Sequence, residues 1–499
     1  MKKVIPPVIL VILAFVFVLI FSSSTSPLYV WEGWDSDIFK EIGLAISRGK
    51  LLYVDIFDHK GPNIFLLNAL GQILIPGRTG IFVLQMLMMS VVFVFLYKTA
   101  SLFLRPILSF VAVLITAVIY SGIYCGGNLC EEWSLVAIVI SLYVALRYIL
   151  SQSSRRISPH PVRYSILYAV CFSYVFYFRP NDAVAAIGGI MLGIFIYLIY
   201  TGQYKNAISN AAGFVGVFIL LSVPYLAYFA SKDALEPYFY GMIKFNSMYT
   251  EGIPAMLKAC LGKKKLIFFL MFLAVAVLAY NTEHRKILFV LVPVFIFGWI
   301  LTGSMMYSHY GIPYIPVFLL FWVLLFKQKN LSVAILSLAI FYCSSYSGGQ
   351  LDYLWGVRYA IPDRIKHIKS KDYENRRFYD ECDKLISQIP ESERDSIWNY
   401  NLWGGPFPYR SIFFHNGLVQ CNKVVHFPHY VIDPPLKKED DITVHKPQWM
   451  LLSHIFDDKF DMAEDYEYIE NNYMLVAQTD RDICDIELYR RKDICSNLQ

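Results

Sequence analysis

Eleven apolar runs, at about 5–21, 80–97, 106–121, 133–150, 164–179, 183–200, 207–229, 265–280, 287–302, 312–326 and 331–346, constrain this chain more than any other feature. Each approaches the length needed to cross roughly 30 Å of hydrocarbon. Inside hydrocarbon every backbone N–H and C=O must be satisfied within its own segment, so runs of this kind are helices. Composition agrees: the 499 residues are 56% hydrophobic and only 17% charged, where soluble domains sit nearer a quarter charged. The chain therefore reads as a polytopic α-helical membrane protein. Its net charge of +5 divides unevenly. Residues 1–346 hold 25 Lys+Arg against 13 Asp+Glu, and residues 347–499 hold 19 against 26. This predicts a basic transmembrane domain over 1–346 and an acidic, soluble α/β domain over 347–499, long enough to bury its own core. A basic membrane body matches cytoplasmic loops and anionic lipid, and gives no argument for nucleic acid.

Lys and Arg recur in alternate short loops: Lys2 and Lys3, Lys98 and Arg105, Arg155, Arg156 and Arg163, Lys205, Arg285 and Lys286, Lys327 and Lys329. The positive-inside rule puts these, and the N-terminus, in the cytoplasm. With eleven spans the C-terminal domain is then outside. Lys263, Lys264 and Lys265 run against the rule, but they end a long loop, a kind that obeys it poorly. The first run also reads as a secretory signal, with a basic start and small residues after it; either way the segment that follows is exported. The nine cysteines form no CxxC pair. Cys382, Cys421, Cys484 and Cys495 in the soluble part, and Cys125 and Cys130 beside one short loop, can form disulfides if they face an oxidising compartment.

On this topology the carboxylates collect outside. Six of the thirteen in the membrane part lie in the first external loop (22–79): Glu32, Asp35, Asp37, Glu41, Asp55 and Asp58. An ion-coupled transporter would bury carboxylates mid-span, and these spans are nearly free of them. Within the loop, "SDIFKEIGLAISRG" (36–49) sets Ile38, Phe39, Ile42, Ala45 and Ile46 on one helical face and Asp37, Lys40, Glu41 and Arg48 on the other, with Gly49 as a stop. This predicts an interfacial amphipathic helix. The polar hairpin "YVDIFDHKGP" follows, then a short apolar helix in "GPNIFLLNALGQILIP" (61–76). Three later polar clusters sit at span ends: "YCGGNLCEEW" (124–133), "YFRPND" (177–182) and "MMYSHYGIPYIP" (305–316).

Taken in order, "DSDIFKEIG…YVDIFDHKGPNIFLLNALG", "GGNLCEEW", "FRPND" and "HYGIPYIP" resemble the loop signatures of one group. These are bacterial membrane glycosyltransferases of the dolichyl-phosphate-mannose–protein mannosyltransferase-like class, similar to glycosyltransferase family 39, with the GT-C fold. The resemblance spans roughly residues 1–346. It implies transfer of a hexose or pentose from a polyprenyl-phosphate-sugar donor to a lipid, glycan or protein acceptor at the outer face of the bacterial cytoplasmic membrane. A glycan ligase or polymerase, or a lipid-linked glycan transporter, is the alternative. The resemblance implies a catalytic base at Asp35, with Asp37 the nearby alternative. No cofactor is required. Some related folds use a divalent metal, but no carboxylate spacing here demands one, so no metal ligands are assigned.

The chemistry explains the residue types. A sugar on a lipid phosphate already has a good leaving group. The protein must deprotonate the acceptor and hold the departing charge. Lys60, His59 and Arg179 are the candidates for phosphate, Arg with a planar fork and Lys with a point charge. Asp55 and Asp58 are read as orienting Lys60 and His59. Glu131 or Glu132 would bind sugar hydroxyls or assist the base, and His309 and Tyr310 would line the cavity. Each has a structural alternative: a helix N-cap for Asp35, a snorkelling lysine for Lys60, an ion pair with Asp182 for Arg179, and a helix-start charge for Glu131 or Glu132. In the C-terminal part, 373–390 reads as an amphipathic helix, and "SIWNYNL", "KVVHFP", "PQWMLLS", "YMLVAQT" and "CDIELYRR" read as strands.

Overall fold

The computed structural model describes residues 7–29, 35–153, 157–249, 263–301, 307–346, 362, 364–366, 373–400, 411–425, 428–454 and 463–495. Each of the eleven apolar runs contains a helix among the described residues. In chain order, with the two loop helices included, they are α1 (Pro7–Phe21), α2 (Asp35–Ser47), α3 (Pro62–Leu74), α4 (Arg78–Ser101), α5 (Pro106–Ile123), α6 (Cys130–Ser151), α7 (Val162–Phe176), α8 (Pro180–Tyr200), α9 (Tyr204–Ala230), α10 (Lys263–Asn281), α11 (Leu288–Leu301), α12 (Ser308–Lys327) and α13 (Leu331–Tyr346). Among the described residues six of these, α4, α5, α6, α8, α9 and α12, are long and apolar enough to cross a membrane. The surface agrees with a multi-pass membrane protein. Along α9, Ile208, Val215, Ile219, Leu220 and Val223 are all more than half exposed, an apolar face that only lipid or another apolar surface satisfies.

The chain forms two compact units. The first comprises residues 1–22, 85–232 and 250–364. Here α8 and α11 cross closely because Gly189 and Gly193 stand four apart on α8. A Cβ on Gly189 would lie 2.7 Å from the Cα of Val294, and one on Gly193 would lie 2.3 Å from the carbonyl oxygen of Phe289. Small residues at this spacing let membrane helices approach backbone to backbone. Pro106 and Pro180 open α5 and α8, where a missing N–H costs no hydrogen bond.

The second unit comprises residues 23–84, 233–249 and 365–499. It joins residues 23–84 to the C-terminal residues: the Phe57 N–H donates to the Lys423 carbonyl at 2.7 Å, and Phe57 forms an isolated bridge with Val424. Its sheet holds β1 (Ile397–Tyr400), β2 (Trp449–Leu452), β3 (Tyr473–Gln478) and β4 (Glu487–Arg491) in the order β1-β2-β4-β3. The β1–β2 pair is parallel, with Ile397 opposite Trp449, and the other two pairs are antiparallel. All four residues of β2 are buried, and Met450 and Leu452 pack with Trp398, Tyr400, Ile442, Ile469 and Tyr473. The expected helix is Tyr373–Ile386. Of "KVVHFP", residues 426 and 427 lie outside the described residues, and residues 423–425 form no strand beyond the isolated bridge at Val424. The Asp440 carboxylate accepts from the N–H groups of Lys423 and Val424, at 2.5 and 2.8 Å, and so takes the donors a ladder would need.

Candidate functional site

In the first unit the approach to α6 has an unusual backbone. Cys125, Gly126, Gly127 and Asn128 all have positive φ, between +50° and +82°. This four-residue left-handed stretch delivers two adjacent acids to the first turn of α6, where the helix dipole favours them. They then diverge. Glu132 is fully buried and accepts from the Tyr124 hydroxyl, the Gln85 amide at 2.9 Å and the Asn128 N–H at 2.5 Å. The Asn128 side chain in turn accepts from the Trp133 indole N–H at 3.0 Å. Glu132 thus ties the loop to α4 and α6 as a satisfied buried carboxylate.

Glu131 turns to a different set of partners. Its carboxylate pairs with the Arg179 guanidinium, and Nε2 of His309 lies 3.9 Å from the same oxygen. Arg179 is also 3.6 Å from the Asp182 carboxylate, and its guanidinium lies over the Tyr310 ring, 4.7 Å from the centroid. His309 packs edge-on against Tyr310 at 4.8 Å. Three clusters far apart in sequence therefore meet around one guanidinium. Arg179 is the most exposed of the charged members, at 20% of its side chain against 5% for Glu131 and 3% for Asp182. The carboxylates of the six long spans, Glu131, Glu132 and Asp182, all lie in first turns.

In the second unit α2 begins at Asp35, so Asp35 and Asp37 both stand in its first turn. The helix ends as expected at Gly49 (φ +95°), where the Lys50 N–H reaches the Ala45 carbonyl and the Gly49 N–H that of Ile46, both at 3.0 Å. The polar face of α2, however, is not solvated. Asp37, Lys40 and Glu41 are buried. Asp37 pairs with Lys40 at 2.7 Å and accepts from the Ser411 hydroxyl at 2.8 Å, and the Lys40 ammonium also donates to the Ser24 carbonyl at 2.9 Å and lies over Phe414. Burial pulls the Lys40 ammonium below its ordinary value, and Asp37 acts against that shift. The expected two-faced interfacial helix is corrected in this respect: residues from the C-terminal part cover its polar side. Asp37 is held in place, and Asp35 is partly exposed.

α3 packs on α2 through Gly43, where a Cβ would stand 2.5 Å from the Asn68 Cβ. Its other face, Leu66, Leu70, Ile73 and Leu74, is exposed and apolar, as an interfacial helix requires. In the hairpin between them, Asp58 accepts from the Lys60 N–H at 2.9 Å and its Oδ1 lies 3.7 Å from Nδ1 of His59. The Lys60 ammonium is 2.7 Å from Nε2 of His59. Asp55 plays a different part from the one expected: it accepts from the Leu51 N–H at 2.7 Å and closes the turn. His429, which no sequence spacing singled out, stands with Nε2 3.0 Å from Nδ1 of His59. Burial and the nearby Lys60 ammonium hold the His429 imidazole down at about 3, so it is neutral.

No family model matches the chain, and no curated protein matches it in sequence. Solved structures do match. ArnT from Cupriavidus metallidurans bound to undecaprenyl phosphate superposes with a TM-score of 0.60 at 12% identity, covering 97% of each chain. Its apo state gives 0.58 with the same identity and coverage. The Archaeoglobus fulgidus oligosaccharyltransferase in the apo form gives 0.51 at 10% identity, over 90% of this chain and 70% of that one. The chain has the GT-C fold.

Proposed function

We propose that this protein transfers a hexose or pentose from a polyprenyl-phosphate donor to a lipid, glycan or protein acceptor at the outer face of a bacterial cytoplasmic membrane. The observation that carries the reading is the fold likeness, over 97% of both chains, to a protein solved with undecaprenyl phosphate. Asp35 is the general base. It is the partly exposed acid of the α2 first turn, whereas Asp37 is neutralised by Lys40. Asp35 takes the acceptor proton as the acceptor oxygen forms its bond to the anomeric carbon and the bond to the lipid phosphate breaks. A nearby carboxylate also stabilises the positive charge that builds on the sugar ring. The departing phosphate needs cations. The alternatives are Arg179, a planar fork held in orientation by Glu131, Asp182 and Tyr310, or Lys60, a point charge. Glu131 and His309, which contact one another beside Arg179, are the proposed holders of sugar hydroxyls.

The test is donor dependence. Purified protein in liposomes is given one labelled sugar either on polyprenyl phosphate or on a nucleotide. The proposal expects transfer from the lipid donor alone. Failure of transfer from every polyprenyl-phosphate sugar tried would overturn it.

A further inference from the structure

Asp58, His59 and His429 bring one carboxylate oxygen and two imidazole nitrogens within 4.8 Å of one another, and all three residues are buried. The geometry points to a binding site for a divalent metal of the zinc class, ligated by Asp58, Nδ1 of His59 and Nε2 of His429. Two imidazoles and a carboxylate form a donor set that zinc takes readily, with a fourth position left for water or another oxygen. The spacing is close to what coordination needs. Bonds of about 2.0–2.1 Å at tetrahedral angles separate two nitrogen ligands by about 3.3 Å. The His59 and His429 nitrogens stand 3.0 Å apart, and Asp58 Oδ1 is 3.7 Å from Nδ1 of His59. For these two pairs, shifts of about a few tenths of an ångström would reach the separation that bond length requires.

The frame around the ligands is stiff. The His59 ring stacks on Phe245 at 5.6 Å, and the His429 ring meets Phe245 and Phe57 edge-on at 5.0 and 5.6 Å. The His59 carbonyl accepts from the Asn246 amide at 2.7 Å, and Asp58 is oriented by the Lys60 N–H. Lys60 adds a consequence. A metal on Nδ1 of His59 leaves the ring proton on Nε2, so Nε2 and the Lys60 ammonium, now 2.7 Å apart, become two donors facing each other. Metal binding therefore releases Lys60 from His59. The site does not rest on the transfer reading, although it touches Lys60, and its test does not use activity.

Full-length protein is purified in detergent through a tag without histidine, stripped with chelator, and titrated with Co2+ and then Zn2+. The expected result is one equivalent of Co2+ with the intense visible band of a four-coordinate site, bleached by Zn2+. His429→Gln and Asp58→Asn should each weaken binding at least about 10-fold, with the metal-free melting temperature recorded as a folding control. Lys60→Met should bind at least as tightly as the wild type. The wild-type titration decides by itself even if a variant does not fold: no band would mean that the two histidines share only an N–H···N hydrogen bond, and the assignment fails. A band that survives undiminished in folded His429→Gln also overturns it, and loss of binding in folded Lys60→Met would contradict the release of Lys60.

Discussion

Asp37 and Lys40 pair at 2.7 Å with neither side chain exposed to solvent. Removing one partner of a buried pair strands the other charge, a loss of about 3–5 kcal/mol. Asp37→Asn should therefore lower the melting temperature of the detergent-solubilised protein sharply. Asp35→Asn, at a partly exposed position, should stay within about 0.5 kcal/mol of wild type. Equal melting of the two variants would contradict the division between a structural and a catalytic acid.

The Arg179 cluster predicts a graded kinetic effect. Arg179→Lys keeps the charge but loses the planar fork that Glu131 and Asp182 orient. Initial rates of sugar transfer should fall by about 10²-fold, as when one charge-stabilising donor is removed. Full activity in Arg179→Lys would remove Arg179 from the phosphate-binding role.

His160 sets a pH dependence of stability. It lies in the loop between α6 and α7, its Nδ1 2.8 Å from the Asn210 side-chain oxygen and its ring walled by Tyr148, Tyr164 and Tyr168. Burial holds its imidazole below the ordinary value although the Asn210 contact acts the other way. As pH falls below about 6.5 the unfolded chain takes up the proton before the folded protein does, so stability drops in that window. The melting temperature should decrease from pH 7.5 to pH 5 in the wild type and less so in His160→Gln. Parallel curves would contradict the assignment.

Gly43 is a packing prediction. An alanine there must push the Asn68 Cβ and backbone away, since its own Cβ would sit 2.5 Å from the first and 2.8 Å from the Asn68 carbonyl carbon. Gly43→Ala should cost about 1–3 kcal/mol, read as a lower melting temperature. An unchanged value would mean that α2 and α3 can move apart without cost.

Cys382 and Cys484 are free thiols that act on one another: burial pushes Cys382 up, and Cys382 holds Cys484 down. If the C-terminal domain is exported, as the charge pattern predicts, these two should be found as a disulfide by non-reducing peptide mapping of native membranes. Recovery of both as free thiols would count against an oxidising location.

Apolar length made the helices legible, because such helices satisfy their own backbone, and among the described residues six of the eleven runs form helices long and apolar enough to cross a membrane. The loop motifs named Glu131, Arg179, His309 and Tyr310, and the structure gathers them around one guanidinium. What sequence spacing could not reach was contact across long separation. Asp35 and Asp37 looked alike until Ser411 and Lys40 claimed Asp37. Glu131 and Glu132 looked alike until Tyr124, Gln85 and Asn128 claimed Glu132. His429 carries no periodicity or motif, and only folding brings it to His59. "KVVHFP" has a strand-like pattern, but Asp440 captures the N–H groups of Lys423 and Val424.

Asp35 is the base proposed for sugar transfer from a lipid phosphate. The most direct measurement is single-turnover transfer of labelled sugar from polyprenyl phosphate in proteoliposomes, comparing wild type with Asp35→Asn at matched folded protein. A loss of about 10²–10⁴-fold is expected for the missing base, with donor binding retained. Wild-type turnover in Asp35→Asn would contradict it.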